Sequence, residues 1–136
     1  MFVNIEDILD AMEMVDQYSE FFLNETTGEI IMVSETSMSR EEIEAIYDRL
    51  DDDGYFKLPT QYDIDDYNIP EDFVNNLPHS EAKDFLENAI ASQDSFEQFQ
   101  QVIESYDLVD DWYQFHDRTY RMIAENWCID NEIEYE

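Results

Sequence analysis

A chain of 136 residues with nine Phe, nine Tyr and two Trp has apolar mass for one domain with a real core, and too little for two ordinary ones. Six Lys plus Arg stand against 36 Asp plus Glu, a formal net charge of -30, which sets anionic membranes and nucleic acid against direct binding. At 15% aromatic residues the chain also falls outside the class of disordered acidic tails. The acid is therefore expected on a single globular domain spanning 1–136.

Plain solubility accounts for a net charge of only about 2 to 8 on a small domain. Halophilic adaptation usually brings Ala, Gly and Val, whereas this chain favours Ile, Phe, Tyr and Asn and has two Gly. The start, Met1-Phe2-Val3-Asn4-Ile5-Glu6-Asp7, has no basic region ahead of an apolar one, so no signal peptide is expected. No apolar run approaches a membrane span. The expected compartment is the cytoplasm of a cell or of an infected host, with no membrane association.

In chain order, Asn4 can cap a first helix with an apolar stripe of Ile5, Ile8, Leu9 and Met12, stapled by Val3 against Ile8 and ending near Val15. Residues 18–23 and 29–33 are β-prone and are joined by Asn24-Glu25-Thr26-Thr27-Gly28, whose Gly supplies a positive φ, so a small hairpin is predicted. Ser39-Arg40-Glu41-Glu42 reads as a capping box opening a helix with Ile43, Ile46, Tyr47 and Leu50 at helical spacing. That helix runs into Asp48, Asp51, Asp52 and Asp53 before Gly54, and acids at a helix C-terminus oppose the macrodipole by roughly 0.3 to 1 kcal/mol each. Local stability would not select them.

Tyr55 to Leu58 reads as a short extended piece stopped by Pro59. From Thr60 to Leu77 carboxylates alternate with aromatic and branched residues: Asp63, Asp65, Asp66, Glu71 and Asp72 among Tyr62, Ile64, Tyr67 and Ile69. Pro70 fits a first helical turn with Phe73, Val74 and Leu77 facing inward. Ser80 opens a helix carrying Phe85, Leu86, Ala89 and Ile90, and Asp94 opens another carrying Phe96, Phe99, Val102, Ile103 and Tyr106. Both are expected to pack on a long last helix over 108–131. In that helix Val109, Tyr113, His116, Tyr120, Ile123 and Trp127 recur at steps of four and three, with Trp112, Phe115, Ala124 and Cys128 widening the stripe. The fold class read from this pattern is α+β and mostly α-helical, with a small β-hairpin near the N-terminus and a helical bundle on the long C-terminal helix. Cys128 cannot form an internal disulfide, and its place on the apolar face reads as a buried, inert thiol.

Leu58-Pro59 with Tyr62, Ile64, Tyr67, Ile69 and Glu71-Asp72-Phe73, then Trp112-Tyr113-Gln114-Phe115, then Tyr120-Arg121-Met122-Ile123-Ala124-Glu125-Asn126-Trp127-Cys128, resembles an uncharacterised bacterial protein family, number 0158 of the UPF series. The hairpin ending in Thr27-Gly28-Glu29 fits it loosely. The resemblance spans roughly the whole chain and implies a common fold, with no known activity. One departure stands out. Where that family has a Gly-rich turn followed by a basic Phe-Arg-Arg-Phe-Lys segment, this chain has Ser92-Gln93-Asp94-Ser95-Phe96-Glu97-Gln98-Phe99, keeping the two aromatics without the cations. Any role of that basic segment is not carried over.

Asp51-Asp52-Asp53-Gly54 invites a calcium-loop reading. Gly54 at the sixth loop position puts Arg49 first, Asp51 third, Asp53 fifth and Thr60 twelfth, so the first ligand is a cation and the bidentate Glu is missing. Zinc would need His79, His116 and Cys128 together, yet His116 and Cys128 are roughly 18 Å apart along one helix. His116 on the aromatic stripe reads as a satisfied core histidine. With 36 acids some carboxylate pair always lies at a hydrolytic distance, so none can be singled out. Two Gly leave no phosphate-cradling loop. The sequence thus predicts no catalytic residue, no metal site and no cofactor.

The acid itself is the remaining candidate. A folded body of this mass exposes about 7,500 Å², so its net charge averages about one per 250 Å². Duplex DNA carries roughly one per 110 Å² on a cylinder of about 10 Å radius. An even spread would be too dilute to imitate DNA, but concentration on about half the surface approaches the match. The clustered Asp48, Asp51, Asp52, Asp53, Asp63, Asp65, Asp66, Glu71 and Asp72 are the expected partner-binding residues. The expected function is a non-enzymatic, DNA-mimic-type inhibitor that occupies the basic groove of a nucleic-acid-binding protein. Three other readings stay open: a solvated acidic face with no partner, a non-mimetic adaptor domain, and an enzyme or weak divalent-metal binder.

Overall fold

The computed structural model describes residues 2–24, 26–91 and 96–136, with the backbone alone at residue 2 and at 51–53. The chain is α+β and mostly helical, and it groups into two compact units, Met1–Asp66 with Tyr120–Glu136, and Tyr67–Thr119.

The first unit opens with β1 (Phe2–Val3) and α1 (Ile5–Met14). The Asn4 side chain accepts from the Glu6 amide at 3.0 Å and caps α1 as its sequence predicts. Ile5, Ile8, Ala11 and Met12 are buried, and Leu9, placed on the stripe by sequence, is only half-buried. The helix ends at Val15, which turns extended while its amide still donates to Ala11.

The hairpin forms from β2 (Ser19–Asn24) and β3 (Ile30–Ser34), one residue later than predicted at each start. The shift has a local cause at both ends. The Asp16 carboxylate takes the Tyr18 amide at 2.8 Å and holds Tyr18 in a turn. The Asn24 side chain accepts from the Thr26 and Thr27 amides while its own amide donates to Glu29, so Asn24 closes the ladder and builds the turn together. Gly28 sits at φ +76°, where a β-carbon would be strained.

After α2 (Arg40–Asp53), β4 (Tyr55–Lys57) pairs antiparallel with β2, giving the order β3-β2-β4. Both faces of the central strand are covered. Phe21 and Leu23 share one face with Ile30 and Met32, while Phe22 points to the other, where its ring meets the edge of Tyr47 of α2 at 6.3 Å. Phe21, Phe22, Leu23 and Val33 are all buried, and burying a side chain such as Leu23 stabilises by roughly 1.5 to 3 kcal/mol.

The Ser39 side chain accepts from the Glu42 amide at 3.2 Å, which is the serine half of the predicted box. The reciprocal capping box lies instead at α3 (Gln61–Asp65), between Thr60 and Asp63. The unit closes through β5 (Glu134–Tyr135), which lies parallel to β1, with the Glu136 amide donating to Val3 at 3.0 Å.

The second unit holds α4 (Ile69–Asn75), α5 (Glu81–Ala91), α6 (Phe96–Ser105) and the first half of α7 (Val109–Asp130). The predicted helix start at Asp94 lies outside the described residues. Phe73 of α4 is central, with ring centroids 5.2 Å from Trp112, 5.6 Å from Phe115 and 6.5 Å from Phe99. Phe96 stacks on Phe99 at 5.3 Å, so the two aromatics kept from the resembled segment serve the Trp112 cluster.

The apolar residues expected to pack α5 and α6 on the last helix are corrected in part. Phe85, Phe96 and Tyr106 are exposed, and Ala82, Leu86, Phe99 and Ile103 are the buried residues of α5 and α6.

The stripe predicted for α7 is corrected as well. Trp112 is buried while Tyr113 is 53% exposed, and the buried residues of the second half are Ile123, Ala124 and Cys128. At about 100° per residue, Tyr113 and Ala124 lie within roughly 20° of one azimuth. That azimuth is buried at Ala124 and open at Tyr113, so the inward face differs between the two halves. Among the described residues no helix is long and apolar enough to cross a membrane.

Candidate acidic binding surface

Carboxylates stay where water can reach them, because an ion taken from water without a partner costs several kcal/mol. Every described Asp and Glu is exposed except Glu20 and Glu125, which are half-buried. Each of those two has a cation close by: Lys57 Nζ is 3.4 Å from Glu20 and Arg121 Nε is 3.3 Å from Glu125. Arg121 also reaches Glu6 at 3.3 Å, and Arg40 pairs with Glu44 at 3.2 Å. Arg49 donates to the Tyr55 hydroxyl at 3.2 Å, and Lys83 to the Leu77 carbonyl at 3.1 Å. With six cations in the chain, most of the acid is left without compensation.

The predicted binding residues fall into three groups. Asp48 is exposed on α2, and Asp51, Asp52 and Asp53 form its last turn, which contains no basic residue. The side chains of those three lie outside the described residues. The helix remains regular through Asp53 and ends at Gly54 in the left-handed region. Its backbone there is helix rather than calcium loop.

Asp63, Asp65 and Asp66 form the second group, on and just after α3. Asp63 Oδ2 accepts from the Thr60 amide at 2.9 Å and Thr60 Oγ1 from the Asp63 amide at 3.2 Å, so this carboxylate holds a helix start together. Asp65 accepts from Gln61 Nε2 at 2.8 Å, and Asp66 is the C-cap. Glu71 and Asp72 form the third group, exposed in the first turn of α4, where carboxylates favour the helix dipole. That places them in the second unit, apart from the seven in the first.

Three carboxylates of α2 belong with the first group and were not singled out from the sequence: Glu41, Glu42 and Glu44. Glu44 and Asp48 are one turn apart, and the i, i+4 spacing was their signal. Over its fourteen residues α2 carries seven carboxylates and two cations. At 1.5 Å per residue its length is about 21 Å, hence one net negative charge per about 4 Å, against 3.4 Å for a single DNA strand.

The other chemistry-bearing side chains are dispersed. His79 is exposed, and His116 is half-buried with its ring 5.7 Å from Trp112 and Nδ1 3.4 Å from Asp117. Cys128 is fully buried, and burial, reinforced by Glu125, pushes its thiol up to about 11. Among the described residues no group of three or more His, Cys, Asp or Glu could hold a metal ion.

Comparison with known proteins agrees with the motifs. A UPF0158 protein of Pseudomonas aeruginosa is 21% identical over 98% of this chain and 86% of its own length. No solved structure matches the chain. The family model described as "Uncharacterised protein family (UPF0158)" matches residues 1–136, and with the whole chain covered, the protein belongs to that family.

Proposed function

We propose that this protein works by binding and not by catalysis, as a DNA-mimic-type inhibitor whose acidic face occupies the basic nucleic-acid-binding surface of a cytoplasmic partner protein. The observation that carries the reading is the linear charge of α2, close to that of one DNA strand over roughly 21 Å, about six base-pair steps. The helix dipole adds to it, since the negative end of α2 coincides with Asp51, Asp52 and Asp53 and the last turn contains no basic residue. All the described carboxylates but Glu20 and Glu125 lie open to water, whereas an acid/base pair works in a shielded pocket. Attraction of this kind is long-ranged, raises the association rate and falls with salt.

The test separates charge from folding. Glu44, Asp48, Asp51, Asp52 and Asp53 are replaced together by Gln or Asn, leaving Asp63 in place because it caps α3. Pull-down with the wild-type chain is expected to recover a basic nucleic-acid-binding protein, with excess duplex DNA competing it off and the five-fold variant capturing none. A partner lacking a basic groove, or capture indifferent both to DNA and to the substitutions, overturns the reading.

A further inference from the structure

Beside the acidic stretch, the first unit contains a groove of a different chemistry. It lies between α1 and the hairpin, with a volume of about 400 Å³, within the size range of ligand clefts, roughly 300 to 1,000 Å³. Phe21, Met14 and Ile30 supply its apolar wall, and Asp7, Asp10 and Glu29 are among the residues that line it. Met14 is 62% exposed in the last turn of α1, and Met32, directly opposite Phe21 on the same sheet face, is 43% exposed. None of the three carboxylates has a cation partner among the described residues.

We propose that this groove binds a protein segment carrying a short apolar centre flanked by Lys or Arg. The apolar wall recognises the centre, and the three carboxylates recognise the flanks. Exposed methionines suit such a role, since their unbranched, polarisable side chains adapt to varied apolar surfaces. Charge decides the class of occupant. A second copy of this chain, itself at -30, is repelled, and nucleic acid offers neither the cations nor the aliphatic centre. The proposal is independent of the mimic reading, which uses charge alone and a different stretch of chain.

The test holds charge constant and varies the centre. The full chain is titrated, by fluorescence anisotropy at about 0.15 M salt, with labelled Arg-Lys-Leu-Leu-Lys-Arg and Arg-Lys-Ser-Ser-Lys-Arg peptides. The leucine peptide is expected to bind about tenfold tighter. That preference should vanish in Met14→Ser and shrink in Met32→Ser, two exposed sites whose substitution leaves the core intact, while Asp10→Asn with Glu29→Gln weakens both peptides. Methyl resonances of Met14 and Met32 should shift on addition of the leucine peptide. Equal affinity for the two peptides, no binding of either, or a leucine preference that survives both Met substitutions overturns the proposal. Removal of the α2 charges should lower both affinities together and leave their ratio unchanged, which keeps this result separate from the mimic test.

Discussion

The indole of Trp127, on the last helix, donates from Nε1 to the backbone carbonyl of Lys57 on β4 at 2.9 Å. Seventy residues separate the two. The bond ties the C-terminal helix to a strand of three residues that pairs with β2. Trp127→Phe keeps a ring in place and removes the donor, at a site that water can reach, so a loss of about 0.5 to 1.5 kcal/mol is expected in denaturant melts.

Two neighbouring aromatics in the first half of α7 carry opposite predictions. Trp112 is buried against Phe73, Phe96 and Phe99, so Trp112→Ala should cost about 3 to 5 kcal/mol. Tyr113 is 53% exposed, and Tyr113→Ala should stay within about 0.5 kcal/mol of wild type. Half-buried Trp127→Ala should fall between them. Comparable losses at 112 and 113 would mean that the inward face of the first half has been misplaced.

Asp107 and Glu132 adopt left-handed backbone at φ 59° and 57°. Each follows a helix whose end is closed by a backward bond, Leu108 N to Ile103 O at 2.9 Å and Ile133 N to Cys128 O at 2.8 Å. This is the position where Gly avoids the β-carbon penalty. Asp107→Gly and Glu132→Gly should each stabilise by about 0.5 to 1 kcal/mol, because relief of strain and of negative charge outweighs the added freedom of the unfolded chain. Melting temperatures of the two variants check it, and a fall in both would show that the acid side chains do hidden work.

Alkali should destabilise the fold. Burial raises the Cys128 thiol from 9.0 to about 11, so the folded chain holds this proton more tightly than the unfolded chain. The contribution is fully present below about pH 9 and is lost as pH rises through about 11, at most about 2 to 3 kcal/mol. Tyr120, raised by burial and then by Glu13 and Asp65, acts in the same direction. Cys128→Ala should flatten the decline in stability between pH 9 and 11, and the native thiol should stay unreactive to a disulfide reagent until the chain unfolds.

Salt should act the other way. With the described carboxylates exposed and six cations in the chain, like charges repel across the surface, and ions at about 0.5 M shorten the reach of that repulsion to a few Å. A rise in melting temperature from low salt to about 0.5 M NaCl is expected. A flat or falling melting temperature would mean that the acids are spaced widely enough not to interact.

Legibility along the chain followed the range of the signal. Asn4 and Ser39 accept from amides within three residues and Pro70 presets its own φ for a first helical turn, and each helix starts where those residues imply. Gly28 and Asn24 likewise placed the hairpin to within one residue. The α3 cap was equally local but was passed over, because Asp63 lay in a run of carboxylates read only for charge. Among the described candidate binding residues, exposure was legible from residue type. The structural duty of Asp63 and the division of Glu71 and Asp72 from the other seven were not.

By itself the sequence determined most of the helices, the hairpin, the family and the placing of nearly all the described acid in water, because capping, turn conformation and ion hydration depend on a residue and its near neighbours. Only the tertiary structure decided that β4 joins β2, that β5 returns to β1, that Trp112 and not Tyr113 faces inward, and that Met14 and Ile30 border one groove. Those outcomes depend on what packs against a face from far along the chain. Period alone defines a helical stripe only to within the width of an aromatic ring, and two azimuths about 100° apart on α7 carry aromatics of nearly equal apolar weight.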